Sequence, residues 1–166
     1  MLISKSMNAR LNKQITAELS AAQTYLAMAC KLDAIGLKVL GKRFFGQYQE
    51  EREHAIRILK YVQEVGGGVA LEALPKPKAD YSDARSIIAA ALENELDISA
   101  MINDLVALAD SEKDYATRSF LNWFVDEQVE EVSSMTDLLS LVDLAAGNML
   151  QVENRVRHEM MAHTGS

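Results

Sequence analysis

Along four stretches of the chain, apolar residues recur at alternating three- and four-residue spacing, which places them on one face of a helix. The first seam runs Leu11, Ile15, Glu18, Ala22, Tyr25, Ala29, Leu32, and the second runs Leu37, Leu40, Phe44, Gln47, Glu51, Ala55, Ile58, Val62. The third runs Ile88, Ala91, Glu95, Ile98, Ile102, Leu105, Ala109, and the fourth Phe124, Gln128, Glu131, Met135, Leu138, Val142, Ala145. Gly66, Gly67, Gly68 and both prolines, Pro75 and Pro77, fall between the second and third seams; everything else can be helix. The spacing predicts helices over about 6–34, about 37–65, about 83–110 and about 114–146, and a short fifth helix over about 148–162. Asp33 to Gly36 makes a tight link after the first helix, Ser82 is the expected N-cap of the third, and Gly147 with Asn148 separates the fourth from the fifth.

The connection from Gly67 to Tyr81 is longer than helix connections usually are, and its length has a use. A helix of about 28 residues is roughly 42 Å long, and about 15 extended residues span up to roughly 50 Å. The segment can therefore run the length of a bundle and start the third helix at the opposite end. Short links within each helix pair, with one long crossover between the second and third helices, predict an all-α protein. It is an up-down four-helix bundle of the ferritin-like arrangement with a short C-terminal fifth helix. The whole chain, 1–166, reads as one such domain.

Each seam is interrupted near its middle by one carboxylate, Glu18, Glu51, Glu95 or Glu131, and no seam position is Lys or Arg. Burying an ionised carboxylate without a partner costs several kcal/mol. Four of them would use most of the roughly 5–15 kcal/mol by which a domain is stable. Something positive must sit among them, and a pair of divalent or trivalent metal ions is the economical candidate. Glu51-x-x-His54 strengthens the case by placing a carboxylate and an imidazole one turn apart on one face. Glutamates from several helices together with Glu-x-x-His are the inventory of di-iron and di-manganese bundles, although here only one Glu-x-x-His is present. The competing reading makes these acids a solvated face. It requires all four seams to be out of phase together with His54.

A length of 166 residues suits one domain, and a net charge of -7 argues against nucleic acid as a partner and fits cation traffic. The single Cys30 excludes an internal disulfide and reads as a small residue at the core edge. The N-terminus lacks a basic segment followed by a long apolar run, so neither export nor membrane insertion is expected and the cytoplasm is the default. His158 and His163, in the last helix and tail, read as surface residues.

The stretches Glu18 to Tyr25 (ELSAAQTY), Gln49 to His54 (QEEREH), Asn94 to Asp97 (NELD) and Phe120 to Glu131 (FLNWFVDEQVEE) resemble a non-haem bacterial ferritin, and the resemblance covers the whole chain. It implies an assembly of 24 chains around a hollow cavity, ferroxidase activity and storage of a ferric oxyhydroxide mineral. By position, a first iron falls to Glu18, Glu51 and His54 and a second to Glu51, Glu95 and Glu131, with Glu51 bridging. A third, outlying iron falls to Glu50, Glu127 and Glu130, and Gln128 and Tyr25 stand beside the pair. Bacterioferritins and rubrerythrins repeat Glu-x-x-His on the fourth helix, where this chain has Glu127-x-x-Glu130. Bacterioferritins carry a haem-binding Met directly after the bridging Glu, where this chain has Arg52, so no haem is expected. The paired cysteines of rubrerythrin are absent as well.

Carboxylates with one imidazole suit ferrous iron and remain compatible with ferric iron. The expected function is therefore a cytoplasmic iron store that oxidises Fe(II) with dioxygen or hydrogen peroxide. The alternatives are a rubrerythrin-like di-iron oxidase or peroxidase that stores nothing, and a metal-free structural bundle. Tyr25 and Trp123 read equally well as packing aromatics. In the ferritin reading the apolar face Met149, Val152, Val156 and Met160 packs against symmetry mates; otherwise it folds back on its own bundle. Asp110, Glu112 and Asp114 line an ion channel or are ordinary loop acids.

Overall fold

The computed structural model describes residues 2–163, and among them every regular element is an α-helix. These are α1 (Lys5–Ala34), α2 (Lys38–Glu64), α3 (Ala84–Glu112), α4 (Tyr115–Leu144) and α5 (Met149–His163). Residues 1 and 164–166, with the side chain of His163, lie outside the described residues, as do the two ends of the 1–166 span and the surface place expected of His163. The helices start and stop within a few residues of the expected bounds because the chain carries its own caps. Ser4 Oγ accepts the Met7 amide at 2.9 Å to start α1, and Asp114 Oδ1 accepts that of Thr117 at 3.0 Å to start α4. At α3 the cap is Asp83 rather than Ser82. Asp83 takes the Ser86 amide at 2.7 Å while Ser86 Oγ takes the Asp83 amide at 3.2 Å, a reciprocal box that Ser82 cannot close.

End-to-end contacts fix the topology. Ser4 Oγ donates to Glu112 at 2.8 Å and Arg10 reaches Asp104 at 3.1 Å, so the start of α1 lies beside the end of α3. Leu2 N donates to Val65 O at 2.7 Å, which brings the end of α2 to the same place. Arg85 meets Asp143 at 2.6 Å, joining the start of α3 to the end of α4 at the other end of the bundle. The segment from Val65 to Asp83 therefore spans the bundle, as its length predicts. It is tied down by Asn12, whose Nδ2 donates to Gly68 O at 2.8 Å and whose Oδ1 accepts the Ala70 amide at 2.6 Å. A Cβ on Gly67 would stand 2.3 Å from Asn8 Oδ1 and 3.0 Å from Val62, so any other residue there has to displace the Asn8 amide and press on Val62.

Every seam position is buried except Leu37 and Ala145, which are half-buried. The core is nonetheless two clusters. One gathers Leu11, Ile15, Ile58, Ile102, Leu121 and Phe124; the other gathers Leu32, Phe44, Ile88, Ala91, Met135 and Leu138. On each helix of the bundle the seam glutamate falls between a residue of one cluster and a residue of the other. The carboxylates thus form a polar layer with apolar packing above and below. Cys30 is exposed rather than at the core edge, since Ala29 and Leu32 take the inward face and the next position turns outward. His158 is exposed as expected.

α5 lies against its own bundle. Val152 and Val156 are fully buried in the second cluster, with Met149 and Met160 packed beside them. Glu153, also buried, accepts the amides of Val39 at 2.8 Å and Leu40 at 2.9 Å. It caps the one helix of the bundle whose own N-cap residue, Leu37, makes no side-chain cap. The apolar face of α5 is therefore occupied within the chain, the second of the two readings above. Among the described residues no helix is long and apolar enough to cross a membrane.

Candidate metal centre

Glu18, Glu51 and Glu95 have no exposed surface, and His54, Glu131 and Gln128 have at most 5%. One ligand atom each from Glu18, Glu51 and His54 lies within 4.8 Å of the others, and a second such group joins His54, Glu127 and Glu131. His54 stands between the two, its Nδ1 3.3 Å from Glu51 Oε2 and its Nε2 4.0 Å from Glu127 Oε1. Trp123 meets the imidazole edge-on with ring centres 5.4 Å apart, and the Arg57 guanidinium lies 3.9 Å over the indole. This gives Trp123 a packing role behind His54 and its outer face a cation–π partner.

The oxygens of the buried carboxylates divide into two sets. Glu18 Oε1 accepts from Gln14 Nε2 at 2.8 Å, Glu95 Oε1 accepts from the Tyr25 hydroxyl, and Glu131 Oε1 receives Gln47 Nε2 at 3.4 Å. Glu18 Oε2, both oxygens of Glu51 and Glu95 Oε2 are buried and take no amide or hydroxyl donor, leaving Glu18 and Glu51 only each other and His54 to face. Buried polar groups are nearly always paired, so four orphaned carboxylate oxygens in one layer mark a place for a cation. The donor set of carboxylates and one imidazole fits divalent iron.

The electrostatics agree. Burial pushes the Glu18 carboxyl well above the usual range, and the neighbouring Glu51 pushes it further. Glu51 is raised well above the usual range by burial and then by Glu95 and Glu131. Glu95 is raised by burial, against opposing hydrogen bonds from Tyr25 and Gln128. Glu131 is pushed up to about 8 by burial and by Glu95, Glu50 and Glu127, which together outweigh the opposing Arg43. Each shift favours the protonated carboxyl, and a divalent ion bound among them favours release of the protons. The Tyr25 hydroxyl is likewise raised by burial and by Glu95, so it stays protonated and donates.

The remaining residues sort less evenly. Gln128 is held by Ser99, whose Oγ donates to its Oε1 at 2.8 Å. Glu50 and Glu130 are exposed, Glu127 is half-buried, and of the three only Glu127 belongs to a ligand group. Glu50 is tied to the centre through Gln47, whose Nε2 donates to its Oε2. Asp110, Glu112 and Asp114 each engage a neighbour, respectively Arg118 at 3.4 Å, Ser4 and the first turn of α4. Two buried groups were not assigned from the sequence, Gln14 and Gln47. Each stands four residues before a seam glutamate, and that spacing alone could have singled them out.

The Ferritin-like domain family matches residues 8–145. The chain is 34% identical over 155 residues to a protein named Ferritin BfrB from Mycolicibacterium smegmatis, covering 93% of this chain and 86% of the relative. It is 38% identical over 133 residues to a bacterial non-heme ferritin from Staphylococcus epidermidis, covering 80% of each. Its fold superposes on an open pore ferritin from the archaeon Archaeoglobus fulgidus with a TM-score of 0.91 at 36% identity, over 93% of this chain and 96% of that one. The midpoint carboxylate layer, the long crossover and these likenesses agree, and the chain belongs to the ferritin-like family.

Proposed function

We propose that this protein is an iron-storage ferritin that binds two ferrous ions in the buried carboxylate layer, oxidises them and passes the product to a mineral inside an oligomeric cage. The observation that carries the proposal is the set of unpartnered, fully buried oxygens on Glu18, Glu51 and Glu95 beside a single imidazole. Iron here is substrate and cargo. Glu18, Glu51 and His54 take the first ion and Glu51, Glu95 and Glu131 the second. Glu51 bridges because, of the four layer carboxylates, it is the one with neither oxygen held by an amide or hydroxyl donor. A third, weaker ion belongs to Glu50, Glu127 and Glu130 at the exposed side.

Each Fe(II) gives up one electron. Dioxygen takes two electrons and two protons to become hydrogen peroxide, or peroxide takes two of each to become two waters. The chain's part is to hold the ions at bridging distance, balance their charge and keep the ligands oriented. Tyr25 fixes one oxygen of Glu95 so that the other faces the ion, and Gln128, held by Ser99, presents its amide to the same group. The likeness to named ferritins supports storage over turnover of another substrate, and we place the assembly, a 24-chain cage, in the cytoplasm.

The test is an aerobic titration of metal-free protein with Fe(II), following ferric-oxo absorbance and the soluble iron retained per chain. Uptake continuing far beyond a few ions per chain is the expected result. Oxidation that saturates after the first few equivalents, with no further soluble loading, overturns storage and leaves a rubrerythrin-like oxidase.

A further inference from the structure

The carboxylate layer contains a second kind of group that the paired-ion scheme does not use. Gln14 is 1% exposed and Gln47 is 8% exposed, and each sends its amide nitrogen to a carboxylate of the layer. We propose that Gln14 and Gln47 are positioning residues that hold one oxygen of a ligand carboxylate so that the other is offered to iron. Gln14 serves the ion on Glu18 and His54, and Gln47 serves the ion on Glu131. The inference rests on the paired-iron reading above.

Both glutamines occupy the same relative place, four residues before the seam glutamate of their own helix, but they act differently. On α1 the amide stacks down one turn onto Glu18 Oε1, leaving Glu18 Oε2 without a partner. On α2 the amide does not bond Glu51, so neither oxygen of that carboxylate is held by a glutamine. It crosses instead to Glu131 on α4 and also takes Glu50 on its own helix, so it links the buried pair to the exposed acids. The orientation of each amide follows from its partner, since a carbonyl turned onto a carboxylate oxygen would face like charge. Turned as it is, Gln47 keeps its own Oε1 buried and unpartnered, an acceptor for a water carried by the ion.

A glutamine is the appropriate donor here. Lysine or arginine would satisfy the carboxylate with a full charge and compete with the metal for it. The amide gives one N–H at no charge, offsets only part of the burial of Glu18 and leaves the need for a cation intact. A ligand with one oxygen held also grips through the other alone, which suits an ion that must leave again as cargo.

The test is a cobalt(II) titration of the whole, metal-free protein, following the d–d absorption and the heat of each step. The exchangeable ring proton that His54 keeps shows which nitrogen holds cobalt, and an ion on Nδ1, the side of Glu51, is the His54-linked ion shared with Glu18. Gln14→Leu keeps volume and removes the amide, and should weaken the His54-linked step about 10- to 100-fold while moving the other step less than about threefold. Gln47→Leu should do the reverse. Gln14→Met and Gln47→Met repeat the test should either leucine variant fold poorly, which thermal melting shows. Unchanged constants in both pairs, or equal weakening of both steps by either residue, would overturn the assignment. Wild-type protein that binds no pair of cobalt ions would instead overturn the paired-site reading itself.

Discussion

Glu50 and Glu51 are neighbours in the chain, as are Glu130 and Glu131, yet the members of each pair live in different media. A helix turns about 100° per residue, so adjacent side chains cannot share a face. Glu51 has no exposed surface, two oxygens with no amide or hydroxyl donor and a carboxyl pushed well up by burial; Glu50 is exposed. Glu131 is 5% exposed and pushed up to about 8, while Glu130 is exposed. Water satisfies an exposed carboxylate at no cost to the fold, and it cannot reach the buried one. Burial gives Glu51 and Glu131 a stronger physical reason to take a metal ion than Glu50 and Glu130 have, so one residue of phase sets identical chemistry in two different media.

The hardest blow to that comparison falls on Glu51. Glu51→Ala removes the carboxylate proposed to bridge and should lower the initial rate of Fe(II) oxidation by at least about 100-fold, on the order of 3 kcal/mol in barrier. Glu50→Ala should change the same stopped-flow rate by no more than about threefold. Equal losses would mean that burial does not separate the two roles.

A smaller effect sharpens the same contrast through pH. Glu131 ionises near pH 8 in the folded chain and near the ordinary value of 4.5 in the unfolded chain. Between those limits the folded state binds the extra proton, so stability is greatest at the acidic end and falls as pH rises. Each unit of such a shift is worth about 1.4 kcal/mol, and coupling within the cluster limits the total to a few kcal/mol on the order of magnitude. Metal-free protein should therefore melt at lower temperature at pH 8.5 than at pH 5.5, and a divalent ion should restore the loss at pH 8.5 by binding the ionised cluster. Glu131→Gln should flatten the pH dependence of metal-free melting. A metal-free protein that gains stability across this window would contradict the uncompensated burial of these acids.

Most of this could be seen in the sequence because the seams are long and regular. The four glutamates and His54 came from helical phase, and the crossover followed from the length of the segment from Gly67 to Tyr81, too long for a local link. Other features depend on contacts between helices that phase does not encode. The capping of α2 by Glu153 joins residues 113 and 114 positions apart, and nothing local to either helix announces it. Asp83 displaced Ser82 as the α3 cap because the box also needs Ser86 three positions on. Gln47 lay on its seam in plain view, but its partner Glu131 is on another helix. Glu127 turned toward His54 rather than outward with Glu130, because its position on α4 lies beside Trp123 and Phe124, which pack on the imidazole.

Glu153 provides the control that separates burial from want of a partner. It is buried as well, 8% exposed, but its Oε1 takes two backbone amides at the start of α2, where the helix dipole also favours a negative charge. A buried acid so satisfied needs no cation. Glu153→Ala should destabilise the metal-free protein by about 1–2 kcal/mol through the lost cap, with both cobalt-binding steps unchanged, whereas Glu131→Gln should stabilise the metal-free protein above pH 8. The smallest effect belongs to Glu130→Gln: with water already around the carboxylate, the melting of metal-free protein should move by no more than about 0.5 kcal/mol. A shift of Glu130→Gln as large as that of Glu131→Gln would place the two neighbours in one medium. The separation of buried from solvated acid by helical phase would then be lost.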